Sequence, residues 1–177
     1  HLHISDSASF PVVLRSQPNL TYFGAYGEAQ VYTVGELTEL GEYCNARGVM
    51  LLPEIDGPAH VGAGLEWGVD AGLGRLVVCD DPSGADGHTW VGNALEPPSG
   101  QLNLANPNIY KVMGAVYAEL AGAFATSEYF HVGGDEIIVG SDESSTSCYN
   151  SSAKAPEILA HLEAAGYSRA DADSFYA

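Results

Sequence analysis

Two adjacent carboxylates are the residues of this sequence with the clearest capacity for chemistry. Asp135 and Glu136 follow Gly133 and Gly134 in the stretch FHVGGDEI at residues 130–137. Neighbouring negative charges repel each other, and an apolar segment beside them adds a desolvation cost. A pair kept there despite both costs indicates a functional requirement, and carboxyl groups serve as proton donors and acceptors in catalysis. The alternative is an acidic turn that is simply exposed to water.

Polar residues also follow two other apolar segments. Asp6 comes after HLHIS at the start of the sequence, and Glu54, Asp56 and His60 come after the run VMLL at residues 49–52. The carboxyl ends of parallel strands meet at one edge of a sheet, where the sites of such folds lie. We therefore expect these residues to converge with the carboxylate pair.

Alternating strands and helices are expected to position these groups. Residues 1–5, 49–52 and 129–132 are predicted strands, the last two of them buried. Thr33 and Glu36 form a capping-box pattern, which opens a first helix.

Three helices are predicted in all. An irregular segment at residues 6–30 precedes the first, and another at residues 57–106 lies between the first and the second. The first ends at Gly48, the second begins at Pro107, and the third ends near Gly166. Their apolar positions are Val34, Leu37, Leu40 and Cys44, then Ile109, Val112, Met113, Val116, Leu120 and Phe124, then Ile158, Leu159 and Leu162.

This βα alternation predicts a parallel sheet with right-handed crossovers, in a barrel or a doubly wound arrangement. No glycine-rich nucleotide fingerprint is present. A complete barrel takes about 250 residues, whereas this chain has 177 residues and three convincing strands. We interpret residues 1–177 as a fragment of one (β/α)₈ TIM-barrel domain.

Composition excludes several kinds of partner. Asp and Glu number 23 against 6 Lys and Arg, which argues against nucleic acid and against an anionic membrane surface. No apolar run approaches the length of a membrane span. The balance suits a soluble protein that acts on a neutral ligand.

Three sequence blocks carry a resemblance to a known family. HLHISDSASFP, RGVMLLPEIDGPAH and YFHVGGDE resemble signature blocks of glycoside hydrolase family 20, the β-N-acetylhexosaminidases. SQPNLTYFGAYGEAQVYT, PPSGQLNLANPNIY and CYNSS resemble the arthropod-type, chitooligosaccharide-degrading members. The resemblance covers nearly the whole chain and implies strands 2 to 4 of the barrel with their helices and long βα loops.

The resemblance also implies roles for the acid pair. In this family the 2-acetamido oxygen of the substrate attacks the anomeric carbon, so the enzyme needs no carboxylate nucleophile. Glu136 would be the general acid and later the general base. Asp135 would bind the acetamido N–H and stabilise the oxazolinium intermediate. His131 would position the turn, and the side-chain-free Gly133 and Gly134 would let a sugar approach the backbone.

Supporting residues are carried over position by position. Asp6 and His60 match a hydrogen-bonded pair near the acid, and Glu96 matches a carboxylate that joins them in the arthropod-type enzymes. The family often ties the loop after strand 3 to the segment after the acid pair. The resemblance therefore implies a disulfide between Cys79 and Cys148. Cys44 lies on the apolar face of the first predicted helix, where a free core thiol is expected.

Some positions depart from the family pattern. Ala94 and Ser99 stand where arthropod-type members have a pair of cysteines, and Tyr149 replaces a tryptophan. The strand-1 arginine and the pocket tryptophans and tyrosine of the family lie outside this sequence.

The resemblance implies an N-acetylhexosamine-terminated oligosaccharide as the binding partner, with no metal and no cofactor. A secreted protein, or one of the lysosomal or vacuolar lumen, is expected, with Asn19 and Asn150 as candidate glycosylation sites in sequons. A homodimer of the full-length protein is left open.

Two alternatives remain from the residues themselves. His1, His3, His60, His131 and Asp135 could be ligands of a metal-dependent barrel hydrolase, although packing inside the barrel is the simpler role for His1 and His3. A non-catalytic sugar-binding relative is the second alternative, and retention of both carboxylates argues against it.

Overall fold

The computed structural model describes residues 1–80, 93, 98–135, 148–149 and 155–167. Its strands are short: β1 (Leu2–His3), β2 (Val12–Val13), β3 (Tyr32–Thr33), β4 (Pro53–Glu54), β5 (Val77–Val78) and β6 (Gln101–Leu102). Its α-helices are α1 (Pro18–Gly24), α2 (Val34–Asn45), α3 (Pro107–Ala123) and α4 (Pro156–Ala164), and a 3₁₀ helix spans Glu66–Gly68. None of the helices in these ranges is both long and apolar enough to cross a bilayer.

Three parallel segments form the part of the fold that matters for the site. Strand β1 pairs with β4, with His3 opposite Glu54. On the other side of β4, Glu54 forms a parallel bridge with His131, and the His131 N–H donates to the Pro53 carbonyl at 2.9 Å. The expected parallel arrangement of the three predicted strands is therefore present.

The second predicted strand is misplaced by a few residues. Val49 and Met50 are 54% and 45% exposed rather than buried, and the ladder begins at the Leu52 carbonyl, which accepts from the Leu2 N–H at 2.8 Å. Pro53 can take part in this pairing although it has no N–H, because its partner His131 needs only the Pro53 carbonyl oxygen as an acceptor. The third predicted strand is likewise not buried, since Tyr129 and Val132 are largely exposed.

The helices agree better with the sequence. Thr33 and Glu36 form the predicted capping box on α2, and Asn106 caps α3, which has Pro107 in its first turn. The predicted apolar faces of α3 and α4 are buried throughout. On α2, however, Leu40 is exposed and Gly41 is buried in its place.

Residues 6–30 contain an unexpected helix. Helix α1 has Pro18 in its first turn and buries Leu20. A Cβ on Gly24 would lie 2.9 Å from the Ala63 carbonyl carbon, so this helix packs directly on the backbone of another loop. The segment is ordered by that tertiary contact rather than by its own weak helical pattern.

Most buried apolar side chains belong to one core between α2, α3 and the parallel segments. A second cluster lies around α4 and contains Cys79, Cys148 and Tyr149. The predicted disulfide between Cys79 and Cys148 is confirmed, with Cα atoms 6.0 Å apart. Cys44, the remaining cysteine, is unpaired as predicted but only half-buried.

Candidate active site

Parallel pairing brings the expected polar residues to one edge. Asp6 follows β1, Asp56 and His60 follow β4, and Asp135 follows the segment at His131. Ligand atoms of Asp56, His60 and Asp135 lie within 4.8 Å of one another. Glu136, Glu96 and Asn150 lie outside the described residues, so their predicted roles remain predictions.

Gly133 has a packing role that the sequence did not indicate. Gly133 has φ +74° and Gly134 has φ +108°, both in the region that favours glycine. A Cβ on Gly133 would lie 1.7 Å from Asp56 Oδ1 and 2.7 Å from the Gly57 nitrogen. Gly133 therefore makes room for Asp56. No atom of the described residues lies within 4 Å of the Cβ position of Gly134, and the approach of a sugar there stays a prediction.

Asp56 is a buried carboxylate, 2% exposed, directly beneath this turn. Its Oδ1 accepts from the Gly57 N–H at 2.7 Å. Burial raises the pKa of Asp56, and the negative charges of Asp135 and Glu54 raise it further. The hydrogen bond from the Gly57 N–H and the charge of His60 lower the pKa, but they do not cancel the rise. Burial and the charge of Asp56 also raise the pKa of Tyr117. The sequence placed Asp56 at a strand end but gave it no role.

Glu54 is the second buried carboxylate at this edge, and the sequence analysis also left it without a role. Its Oε2 lies 2.8 Å from His1 Nε2 and 2.9 Å from His3 Nδ1, and its Oε1 lies 2.8 Å from His131 Nδ1. Glu54 and Asp56 are two residues apart, which places both on one face of the extended chain. That spacing is the signal from which both could have been found.

Asp6 is linked to this cluster through His3. Its Oδ2 lies 3.4 Å from His3 Nε2, and its Oδ1 accepts from the Ser7 N–H. Burial lowers the pKa of His3, but the hydrogen bond and charge of Glu54, together with Asp6, outweigh it, so that the pKa is raised. The predicted pairing of Asp6 with His60 remains a prediction. His60 itself is half-buried and has φ +54°.

A cleft of about 520 Å³ opens beside Asp6. Its lining includes His3, Asp6, Tyr26 and Tyr32. Carboxylate and imidazole groups can hydrogen-bond to hydroxyls, and exposed tyrosine rings can pack against the apolar faces of a ligand. The volume lies in the range of small-ligand sites.

Three described sets of side chains could supply metal ligands: His1, Glu54 and His131; His3, Glu54 and Asp56; Asp56, His60 and Asp135. The nitrogen–oxygen separations around Glu54 are 2.8–2.9 Å, which are hydrogen-bond distances. Ligands of a tetrahedral zinc ion, each about 2.1 Å from the metal, stand roughly 3.4 Å apart. The sets around Glu54 thus have the geometry of a hydrogen-bonded cluster.

Asn19, the described sequon residue, lies on α1 and is half-buried. The Thr21 hydroxyl of the same sequon is buried and donates to the Val12 carbonyl. Whether Asn19 carries a glycan stays a prediction.

Comparison with known proteins gives one consistent family. Residues 1–174 match the model of glycosyl hydrolase family 20, catalytic domain. The chain is 43% identical over 152 residues to a chitooligosaccharidolytic beta-N-acetylglucosaminidase of Bombyx mori, covering 86% of this chain and 22% of that protein. It is 40% identical over 152 residues to the enzyme of the same description from Ostrinia furnacalis, covering 86% and 23%.

Solved structures agree on the fold. A chitobiase of Flavobacterium johnsoniae superposes with a TM-score of 0.62 at 18% identity, over 98% of this chain and 23% of that one. The fold is that of a TIM-barrel-type catalytic domain. The chain spans under a quarter of the length of the insect relatives it matches.

Proposed function

The chain belongs to glycosyl hydrolase family 20, and from that premise we propose that it carries the catalytic pair of a β-N-acetylhexosaminidase. The enzyme removes terminal non-reducing N-acetyl-β-D-hexosamine from chitooligosaccharides or glycans. The observation that carries this proposal is the acid pair itself. Asp135 follows a Gly-Gly turn at the carboxyl edge of parallel strands, and Glu136 is the next residue.

The proposed reaction has two steps. In the first, the carbonyl oxygen of the substrate's acetamido group bonds to the anomeric carbon, and the glycosidic C–O bond breaks. Glu136 gives its proton to the leaving oxygen, and Asp135 holds the acetamido N–H and the positive oxazolinium ion. In the second, water bonds to the same carbon and the bond between that carbon and the acetamido oxygen breaks, which opens the oxazolinium ring. Glu136 takes the proton of the water. Two inversions retain the β configuration.

Asp56 contributes electrostatically in this scheme. It is buried beneath the turn and its charge is coupled to that of Asp135. Like charges at this distance disfavour double ionisation. A cation that forms beside Asp135 relieves the repulsion between Asp56 and Asp135. These two carboxylates therefore stabilise the oxazolinium ion more than they stabilise the neutral substrate.

The assignment of these segments to particular barrel strands rests on the same family membership. The segments at β1, β4 and His131 are strands 2 to 4 of the barrel, and residues 1–177 belong to one catalytic domain. The Cys79–Cys148 disulfide supports an oxidising compartment, either secreted or in a lysosomal or vacuolar lumen. The reaction as written consumes only water and requires no metal or cofactor.

The test is hydrolysis of an N-acetyl-β-D-glucosaminide with a poor leaving group by the full-length protein, with the product anomer followed by NMR. We expect a β product, unchanged rates in the presence of a chelator, and a loss of roughly 10²- to 10⁴-fold in kcat for Glu136→Gln. Chelator-sensitive turnover would favour a metal-dependent hydrolase. Binding of the sugar without turnover would favour a non-catalytic relative.

A further inference from the structure

We propose that Glu54 is a positioning residue that sets the orientation of the catalytic turn through His131 and is connected to Asp6 through His3. This inference rests on the proposed function of the acid pair. Glu54 itself lies within the sheet ladder, paired with His3 on one side and His131 on the other. It therefore acts on the reaction through other side chains rather than by touching the substrate.

The burial of Glu54 makes its partners obligatory. The residue is 5% exposed, and three imidazoles, those of His1, His3 and His131, lie within 2.9 Å of its two oxygens. A carboxylate has only acceptor sites, and each imidazole can offer it an N–H. A buried carboxylate without such donors is costly. The cluster therefore holds the three rings in fixed orientations across three neighbouring segments.

One atom, His131 Nδ1, connects Glu54 to the turn. It lies 2.8 Å from Glu54 Oε1 and 3.1 Å from the Gly133 nitrogen, whose N–H points at it. A ring nitrogen carries either a proton or a lone pair, so it donates to Glu54 or accepts from Gly133. In either state one hydrogen bond from this atom holds the ring between Glu54 and Gly133, and with Nδ1 protonated that bond is the one to Glu54. Glu54 thereby fixes the ring against which the Gly133 amide rests, two residues before Asp135.

His3 connects Glu54 to the other side of the site. Its Nδ1 faces Glu54 Oε2 at 2.9 Å and its Nε2 faces Asp6 Oδ2 at 3.4 Å. Only the doubly protonated imidazole can donate to both carboxylates, and the raised pKa of His3 favours that form. Glu54 thus holds in register the residues that follow two different strands, Asp6 and the glycine turn.

The decisive experiment compares steady-state kinetics of full-length variants with the thermal stability of each. Glu54→Gln keeps the shape but offers an amide to rings that need an acceptor. We expect kcat to fall by roughly 10- to 100-fold, because a displacement of about 1 Å can cost 10²-fold, while KM changes little. A matched control is Asn103→Ala. Asn103 is a buried polar residue that bonds the Arg75 carbonyl and Glu157, and we expect its variant to lose stability but keep kcat.

His131 variants test whether Glu54 acts through that ring. His131→Ala removes both contacts and should lower kcat as Glu54→Gln does, with the double variant no worse than either single one, since residues acting as a unit are not additive. His131→Asn places an amide nitrogen near the position of Nδ1 and should restore most of kcat. A Glu54→Gln enzyme with wild-type kcat, or losses that multiply in the double variant, would overturn the proposal. If Glu54→Gln does not fold, equal and wild-type kcat for His131→Ala and His131→Asn would overturn it.

Binding separates this inference from the proposed function. A thiazoline mimic of the oxazolinium ion is titrated into wild type and Glu54→Gln by calorimetry. If the wild type binds the mimic but does not hydrolyse substrate, the proposed hydrolase function is refuted. A roughly 10-fold or greater loss of affinity in the variant would still support positioning, and equal affinity would count against it.

Discussion

Gly133 lies so close to Asp56 that a methyl group on Gly133 would displace the Asp56 side chain or the turn itself. A Cβ on Gly133 would stand 1.7 Å from Asp56 Oδ1, and Gly133 has a left-handed φ of +74°. The backbone of the Gly133–Gly134 turn therefore rests on a buried carboxylate. Any substitution at Gly133 must move one of them.

Gly133→Ala is expected to lower kcat by roughly 10²-fold, because either the turn carrying Asp135 or the Asp56 carboxylate beneath it must shift, and a displacement of about 1 Å can cost that much. Gly114→Ala is the matched control. Gly114 lies in α3, where no atom of the described residues is within 4 Å of its Cβ position, and the substitution should stabilise the protein by about 0.5–1 kcal/mol. The measurements are kcat and the free energy of unfolding for both variants. Wild-type kcat in Gly133→Ala would contradict the tight contact.

Asp135→Asn tests the role proposed for that carboxylate. Asparagine keeps the size of the side chain but loses the charge that stabilises the oxazolinium ion. A thiazoline mimic should bind this variant at least 10-fold more weakly, since a hydrogen bond to a charged group contributes about 1.5–3 kcal/mol. Glu136→Gln serves as the comparison, because it removes the proton donor and leaves Asp135 in place. Equal affinity of wild type and Asp135→Asn would remove Asp135 from this role.

Asp56→Asn should change how stability depends on pH. Burial raises the pKa of Asp56, so the folded state binds this proton more tightly than the unfolded chain does. The contribution of Asp56 to stability is therefore fully present below its unfolded pKa of about 3.9 and is lost as pH rises through the folded pKa. The variant does not titrate, so the difference in unfolding free energy, variant minus wild type, should increase from about pH 4 towards neutrality. Denaturant titrations across that range measure it. A constant or falling difference would contradict the raised pKa.

The sequence predicted the elements that have strong local signals. Helix α3 has a proline in its first turn and a continuous apolar face, and the capping box of α2 is formed by Thr33 and Glu36 as expected. Helix α1 was missed because its seven residues gain order from packing on the loop at Ala63. Long-range packing of this kind leaves no periodic pattern in the sequence.

The site was predictable in outline but not in its internal contacts. Convergence of His60 and Asp135 follows from parallel pairing of strands, whereas Asp6 contacts His3 and its predicted pairing with His60 stays a prediction. The glycine turn was recognised, but the carboxylate beneath it was not, because nothing local to residues 130–137 indicates that Asp56 fills that space. Burial of Glu54 among three histidines depends likewise on strand register, which a single sequence does not specify.

The disulfide between Cys79 and Cys148 should stabilise the segment that follows the acid pair. The bond joins residues 69 apart, and the adjoining Tyr149 is buried with its hydroxyl donating to the Leu102 carbonyl at 2.8 Å. In the chain-entropy model, closing a loop of this length contributes about 4 kcal/mol.

The double variant Cys79→Ser, Cys148→Ser should therefore unfold at a clearly lower temperature, and reductant should lower the unfolding temperature of the wild type to a similar value. Cys44→Ser is the matched control, because the half-buried Cys44 thiol is unpaired. The difference in unfolding temperature between this variant and the wild type should be the same with and without reductant. Peptide mapping without reduction should recover Cys79 joined to Cys148. Recovery of both as free thiols from protein made in an oxidising compartment would refute the bond and remove its support for a secreted or lumenal location.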